Sequence, residues 1–217
     1  MLKLYGFWRS IATYRVRVAL RLKGLPFEES AVDLLKGEQF GDGFSAVNAA
    51  HAVPALMVDG RAITQSLAII EYLDEKHPSP PLLPAALEER AQARALALLT
   101  IADAHPLIVP RIRKALAQTY GATPPQVDDW ARRWLTEGLT VYDSELARRP
   151  PAPFALGEAP GLADICVMSH VVAAQLFGAP MEGFAHVTRL RMACEALEAF
   201  SQSHPLRQPG APARTCQ

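Results

Sequence analysis

The chain has 217 residues, half of them apolar and a fifth charged, with 22 basic side chains against 22 acidic ones. That suffices for one large domain or two small ones with a buried core, and it excludes a chain too polar to fold. Zero formal net charge leaves no basic footprint for nucleic acid, no apolar run looks long enough to span a bilayer, and no basic-then-apolar leader opens the sequence. Residues 2–6 alternate apolar and other side chains, which predicts a short strand. A helix should follow from residue 11, with an apolar stripe of Val16, Ala19 and Leu20 that stops at Gly24, a fitting C′ residue with Pro26 just beyond. Ser10 stands at the junction. It is either a plain N-cap or a donor to something negative, because the first turn of a helix carries unpaired N–H groups and partial positive charge.

Residues 26–32 read as a second strand, interrupted by Glu28-Glu29-Ser30, and residues 33–50, with Gly37, Gly41 and Gly43, as loop plus a short irregular helix. The apolar run of residues 53–58 is opened by Pro54 and closed by Asp59-Gly60, after which residues 61–64 complete a hairpin. A helix from Ser66, with Leu67, Ile69, Ile70 and Leu73 on its stripe, should end before Pro78. A small mixed sheet with helices on its faces accommodates this order.

Pro78-Ser79-Pro80-Pro81-Leu82-Leu83-Pro84 is a stiff linker, and strand signals vanish beyond it. Helical periodicity runs from Leu87 to about Ala117, with breaks expected at Pro106 and Pro110. A helix from Pro124 or Pro125 to Ala147 carries Trp130, Trp134, Leu135, Leu139 and Tyr142 on or near one face. Two more helices are expected, from Gly161-Leu162-Ala163-Asp164 to about Leu176 and over 187–200. The expected organisation is an α/β domain over 1–80, an all-helical domain over 87–203, and a disordered Pro-rich tail over 204–217. Cys166 and Cys194 fall in helical patterns as small buried hydrophobes and Cys216 in the tail; with no C-x-x-C pair, this usage fits a reducing cytoplasm. The six His are scattered without metal-ligand spacing, so no metal is expected.

Several of these segments together carry a resemblance. Phe7-Trp8-Arg9-Ser10 followed by Tyr14-Arg15-Val16-Arg17-Val18-Ala19-Leu20 is similar to the catalytic stretch of cytosolic glutathione transferases, nearest to the zeta class with its maleylacetoacetate and maleylpyruvate isomerases. Asn48 and Val53-Pro54-Ala55-Leu56 resemble that family's cis-proline loop, and Ile63-Thr64-Gln65-Ser66-Leu67-Ala68-Ile69-Ile70-Glu71-Tyr72-Leu73 its second glutathione segment. Leu82-Leu83-Pro84, Asp103-Ala104-His105-Pro106-Leu107 and Leu162-Ala163-Asp164 match the linker, a turn in the first long helix and the capping motif of the helical domain.

The resemblance implies the glutathione transferase fold, a thioredoxin-like α/β N-terminal domain followed by an all-α C-terminal domain, with glutathione as cofactor. It implies that Ser10 hydrogen-bonds the glutathione sulfur and that Val53, before a cis Pro54, pairs with the cysteinyl part. Gln65 and Ser66 would take the γ-glutamyl carboxylate, and His51 the glycyl carboxylate. Arg9, Ile11, His105 and Arg111 would meet the second substrate, a small electrophilic or unsaturated diacid. Arg15 and Arg17 are two apart and so point to different helix faces; at least one of them reads as structural or solvated. The implied reaction is glutathione-dependent cis–trans isomerisation of maleylacetoacetate or maleylpyruvate in a cytoplasmic homodimer, with no nucleic-acid or membrane partner. The chain departs from the pattern at Ile11-Ala12, Ala49-Ala50-His51-Ala52, Ile108-Val109-Pro110 and Gln175-Leu176. Ile108, Val109 and Leu176 favour an alternative, a glutathione transferase that conjugates or dehalogenates hydrophobic electrophiles. A non-catalytic interaction protein would have no need of Ser10, Gln65 and Ser66 together, and a thiol oxidoreductase would need a Cys between Trp8 and Tyr14.

Overall fold

In the computed structural model, which describes residues 1–212, the chain divides into two units: Met1–Leu82 joined by the described residues from Leu197 on, and Leu83–Ala196. Cys216 and the end of the expected tail lie outside the described residues.

The first unit is built on a four-stranded sheet of order β2-β1-β3-β4, formed by β1 (Leu2–Gly6), β2 (Phe27–Ala31), β3 (Ala55–Val58) and β4 (Arg61–Thr64). β1 and β2 run parallel, which requires a crossover, and helix α1 (Ile11–Leu22) supplies it. Gly24 takes the left-handed conformation at φ 63° just past the Lys23 cap, as the Gly-Pro spacing predicts. The hairpin joining β3 to β4 turns on Asp59 and Gly60, both at positive φ (49° and 79°), the conformation a two-residue primed turn demands. A short helix α2 (Asp42–Ser45) fills the crossing before β3, and α3 (Ser66–Lys76) follows β4. Leu4, Leu56, Ile69 and Leu73 are wholly buried from sheet and helix together.

Register decides what this sheet is for. Tyr5 faces Ala55, and Ala55 faces Thr64. The end of β1, the start of β3 and the end of β4 therefore lie at one end of the sheet, where the turns 7–10, 51–54 and 65–66 all emerge.

At the other end of α1, buried Lys23 donates to Asp74 Oδ1 (2.5 Å) and to the carbonyls of His77 (2.6 Å) and Pro80 (2.5 Å). Asp74 also accepts from Leu82 N–H at 2.7 Å, so the Pro-rich linker is stapled to α3 as well as stiffened by its prolines.

The C-terminal segment corrects two expectations. The predicted helix over 187–200 is two helices, α9 (Ala185–Glu195) and α10 (Glu198–Ser201), separated by extended Leu197, and residues from Leu197 on belong with the first unit, where α10 packs on α1. Nor is the tail structureless up to residue 212: Pro205–Arg207 form a 3-10 turn, and Gln208 Nε2 donates to the carbonyls of Gln202 (2.8 Å) and His204 (2.9 Å). Phe200 and Ser203 are buried. Composition shows the prolines but not these local hydrogen bonds.

The second unit holds α4 (Leu87–Leu98), a π-helical stretch (Leu99–Ala104), α5 (His105–Ile108), α6 (Pro110–Tyr120), α7 (Pro124–Ala147), α8 (Leu162–Phe177) and α9 (Ala185–Glu195). Pro106 sits inside α5 near its start, and the break expected at Pro110 falls at extended Val109. Leu87–Tyr120 taken as one stretch is long and apolar enough, by length and composition, to cross a membrane, which corrects the reading that no such run exists. The π stretch is a second departure from plain α-helix. There Tyr142 O–H donates to Leu96 O (2.8 Å), and Thr100 Oγ1 lies 2.5 Å from the Tyr142 hydroxyl and 3.2 Å from Cys166 O. Side-chain hydroxyls thus meet main-chain carbonyls where the helix changes its repeat.

Helix α7 buries Val127, Ala131, Leu135, Leu139, Tyr142 and Leu146, the regular 3.6-residue stripe. Trp130 and Trp134 flank that stripe half-buried, ring on edge to each other, and Trp130 Nε1 donates to Leu107 O at 2.8 Å. Helix α8 is buried continuously from Leu162 to Ala174. Asp164 opens it, accepting from Ala155 N–H (2.7 Å) and Gly161 N–H (2.9 Å). Burial outweighs those two bonds and raises its carboxyl to about 6.

Candidate active site

Turn 7–10 leaves β1 and enters α1. Ser10 N–H donates to Phe7 O (3.0 Å), and Ser10 Oγ accepts from Thr13 N–H (3.1 Å), so the serine does cap the helix. Capping and donation are compatible, because a hydroxyl that accepts through a lone pair keeps its proton to give. No acidic side chain stands in the first turn of α1 to compete for that end. Arg9 is exposed and Ile11 is buried, so at this corner Arg9 offers charge and Ile11 only apolar surface.

Beneath the turn lies a group that spacing did not single out. Arg17 is wholly buried; its Nε and Nη2 hold Glu29 at 2.8 and 2.5 Å, and Nη2 reaches Phe7 O at 3.3 Å. Gly6 makes room for this pair, since a Cβ there would stand 2.6 Å from Glu29 Oε1 and 2.5 Å from Thr13 Cγ2.

Turn 51–54 is braced from within. Asn48 Nδ2 donates to Ala52 O (2.6 Å), and its Oδ1 accepts from Ala50 N–H (3.0 Å). His51, at φ 51°, lies against the Phe40 ring; its Nδ1 is 3.0 Å from Gln39 O and 3.3 Å from Ser45 Oγ. A carbonyl only accepts, so Nδ1 carries the proton. Neutral His51 then presents an acceptor at Nε2, and it can donate to a carboxylate only as imidazolium. The Val53–Pro54 bond is cis, and the β3 ladder stops at Ala55, so Val53 lies two residues outside the paired strand. Val53 and Phe7 share one apolar cluster with Trp8 against it, joining this turn to the Ser10 turn.

At turn 65–66, Gln65 holds φ 69° and ψ 119°, a region non-glycine residues seldom occupy, and it makes no side-chain cap to α3. The first turn of α3 also lacks an acidic residue. Ser66 is buried, and its Oγ accepts from Arg15 Nε at 3.0 Å. Arg15 is itself buried, as is Arg17, so neither of these two arginines is solvated. Because α1 is buried on all sides from Ile11 to Leu20, residues two apart on it can both point inward. Periodicity in a sequence does not reveal that.

Ser10, Arg9, Ile11, His51, Val53, Pro54, Gln65 and Ser66 thus gather at one end of one sheet. The remaining two candidates belong to the second unit: His105, half-buried, follows the π stretch, and Arg111 is exposed in the first turn of α6. Ile108, one of three residues that favoured hydrophobic electrophiles, is buried at 4 % exposure.

This geometry can now be set beside known proteins. The family model for the N-terminal domain of glutathione S-transferase matches residues 4–81. A maleylpyruvate isomerase of Ralstonia is 38 % identical over 96 % of this chain and 99 % of its own length. A maleylacetoacetate isomerase of Pseudomonas aeruginosa is 37 % identical over 98 % and 100 %. Among solved structures, a holo maleylpyruvate isomerase described as a bacterial zeta-class glutathione S-transferase aligns with TM-score 0.94 and 38 % identity over 97 % of this chain and all of that one. A maleylacetoacetate isomerase of Methylobacterium extorquens with bound malonate and glutathione aligns with TM-score 0.94 and 42 % identity over the same shares.

Proposed function

The chain belongs to the zeta class of the glutathione S-transferases, and from that premise we propose that it is a glutathione-dependent cis–trans isomerase of maleylpyruvate or maleylacetoacetate. One observation carries the reading: at the shared sheet end, a capping serine keeps its hydroxyl proton beside a cis-proline turn and a helix start without a cap. These residues fit glutathione. Two helix N-termini free of first-turn carboxylates suit anionic groups, and the turn at Val53, just before β3 begins at Ala55, suits a peptide backbone.

When bound, glutathione supplies the thiolate that adds to the cis double bond and departs once the resulting single bond has rotated. Ser10 O–H donates to the sulfur, and the N-terminus of α1 adds its field; together they favour the ionised thiol. Val53 pairs its main chain with the cysteinyl unit. Gln65 and Ser66 hold the γ-glutamyl carboxylate, and His51 meets the glycyl carboxylate. Arg9, His105 and Arg111 orient the carboxylates of the diacid and steady the negative charge that passes to its carbonyl oxygen. The reading extends to a cytoplasmic homodimer without nucleic-acid or membrane partners, in keeping with zero net charge.

The test is turnover of maleylpyruvate and of maleylacetoacetate by the purified protein, with and without millimolar glutathione. Formation of the trans isomer that requires glutathione is expected for at least one of them. No turnover of either, with conjugation of a chloronitrobenzene instead, would move the protein to the transferase reading.

A further inference from the structure

We propose that Arg15 is a positioning residue for the γ-glutamyl carboxylate of glutathione, acting through Ser66 by fixing the direction in which that hydroxyl donates. The inference rests on the reading of Ser66 as a carboxylate donor. Arg15 lies within α1 at 2 % exposure, and Ser66 begins α3 at 4 %. Their contact, Nε to Oγ at 3.0 Å, spans 51 residues of sequence.

A guanidinium has no acceptor, so the serine oxygen must be the acceptor in this bond. Its O–H proton then has to point elsewhere, and among the described residues no side chain or main-chain group receives it. Accepting a charge-assisted hydrogen bond also polarises the hydroxyl and strengthens it as a donor. Arg15 thereby does two things for an anion at the start of α3. It denies the hydroxyl proton an inward orientation, and it places a fixed cation one hydrogen bond behind the donor. The same helix carries Ser10 at its N-cap, so one rigid element sets both the thiol end and the γ-glutamyl end of the ligand.

A role confined to packing α1 on α3 would weaken binding of every glutathione-like ligand alike. A role through the carboxylate will not. Calorimetric Kd values for two ligands separate the cases: glutathione, and 4-aminobutanoyl-cysteinylglycine, which keeps the amine, thiol and glycyl carboxylate but lacks the γ-glutamyl carboxylate. For Ser66→Ala and for Arg15→Met, glutathione Kd should rise roughly tenfold, as expected for one hydrogen bond to a charged group, with less than a twofold change for the analogue. The double variant should bind glutathione no more weakly than Ser66→Ala alone. Should Arg15→Met fail to fold, Arg15→Lys carries the test, with a glutathione-selective loss of at least about threefold, because an ammonium does not reproduce the Nε geometry. Equal losses for both ligands in the Arg15 variants, while Ser66→Ala discriminates, would overturn this inference alone. Equal losses in Ser66→Ala would overturn the placement of the carboxylate as well.

Discussion

The two units treat their buried polar groups differently. In the first, buried polar side chains brace the turns that would touch a ligand: Arg17 beneath Phe7 O, Arg15 behind Ser66, and Asn48 within turn 51–54. In the second, the buried polar groups hold helices to one another. Asp164 ties loop 155–161 to α8, His170 Nε2 is 2.8 Å from Leu135 O, and Thr100 meets Tyr142 at the π stretch. The first unit therefore reads as a pre-organised binding end. The second reads as a rigid frame on which His105 and Arg111 sit near helix starts. Substitutions in the first should change binding and chemistry more than stability, and those in the second the reverse.

The largest effect should follow Ser10→Ala. We expect kcat/KM for the isomerised substrate to fall roughly 10²–10³-fold, the range seen when one pre-organised donor to negative charge is removed. Denaturant unfolding should register only the lost cap, about 1 kcal/mol. A stability loss of several kcal/mol with intact kcat/KM would erase the contrast between the units.

Asp164 supplies the counterpart. Its carboxyl is raised to about 6 by burial, above the unfolded value near 3.9, so the folded state binds its proton more tightly. Its contribution to stability is full below about pH 4 and is lost as pH rises through 6. The stability of the native protein relative to Asp164→Asn, whose side chain does not titrate, should thus decrease by roughly 2–3 kcal/mol between pH 4 and 7. A pH-independent difference would place the carboxyl outside the dry interior described above. Glutathione affinity should not differ between the two proteins at any pH.

Gly138→Ala should be next. A Cβ there would stand 2.3 Å from Cε1 and 2.5 Å from Nε2 of buried His170, so the ring must shift and its bond to Leu135 O with it. A loss of about 2 kcal/mol by thermal or urea unfolding is expected, with unchanged glutathione Kd. The smallest effect is assigned to Arg111→Ala, on the exposed side of α6: KM for the diacid should rise a few-fold, about 1 kcal/mol, without change in glutathione Kd or in stability. A shift in glutathione Kd would show that Arg111 serves the cofactor.

The strands, the Asp59-Gly60 turn and the residues of the three ligand-facing turns were legible because each depends on neighbours in sequence. Ser10 illustrates the limit of that legibility. Cap and donor were competing readings from residue type, whereas the 3.1 Å bond from Thr13 shows the cap and leaves the proton. Arg15 and Arg17 were underread because helical spacing assigns them to different faces, and it takes a helix buried all round to make both inward. The π stretch was unreadable for a similar reason: Thr100 meets a hydroxyl 42 residues away. Ordering of the segment up to residue 212 depends on Gln208 folding back onto Gln202 and His204, a contact that proline content obscures.

The most direct test of the account is the ultraviolet thiolate absorbance of bound glutathione across pH, for the native protein and for Ser10→Ala at saturating glutathione. The account predicts that the bound thiol ionises well below the free-thiol range of about 8.5 in the native protein and returns towards it in the variant. Coincident titration curves for the two proteins would contradict it and leave Ser10 as a helix cap and nothing more.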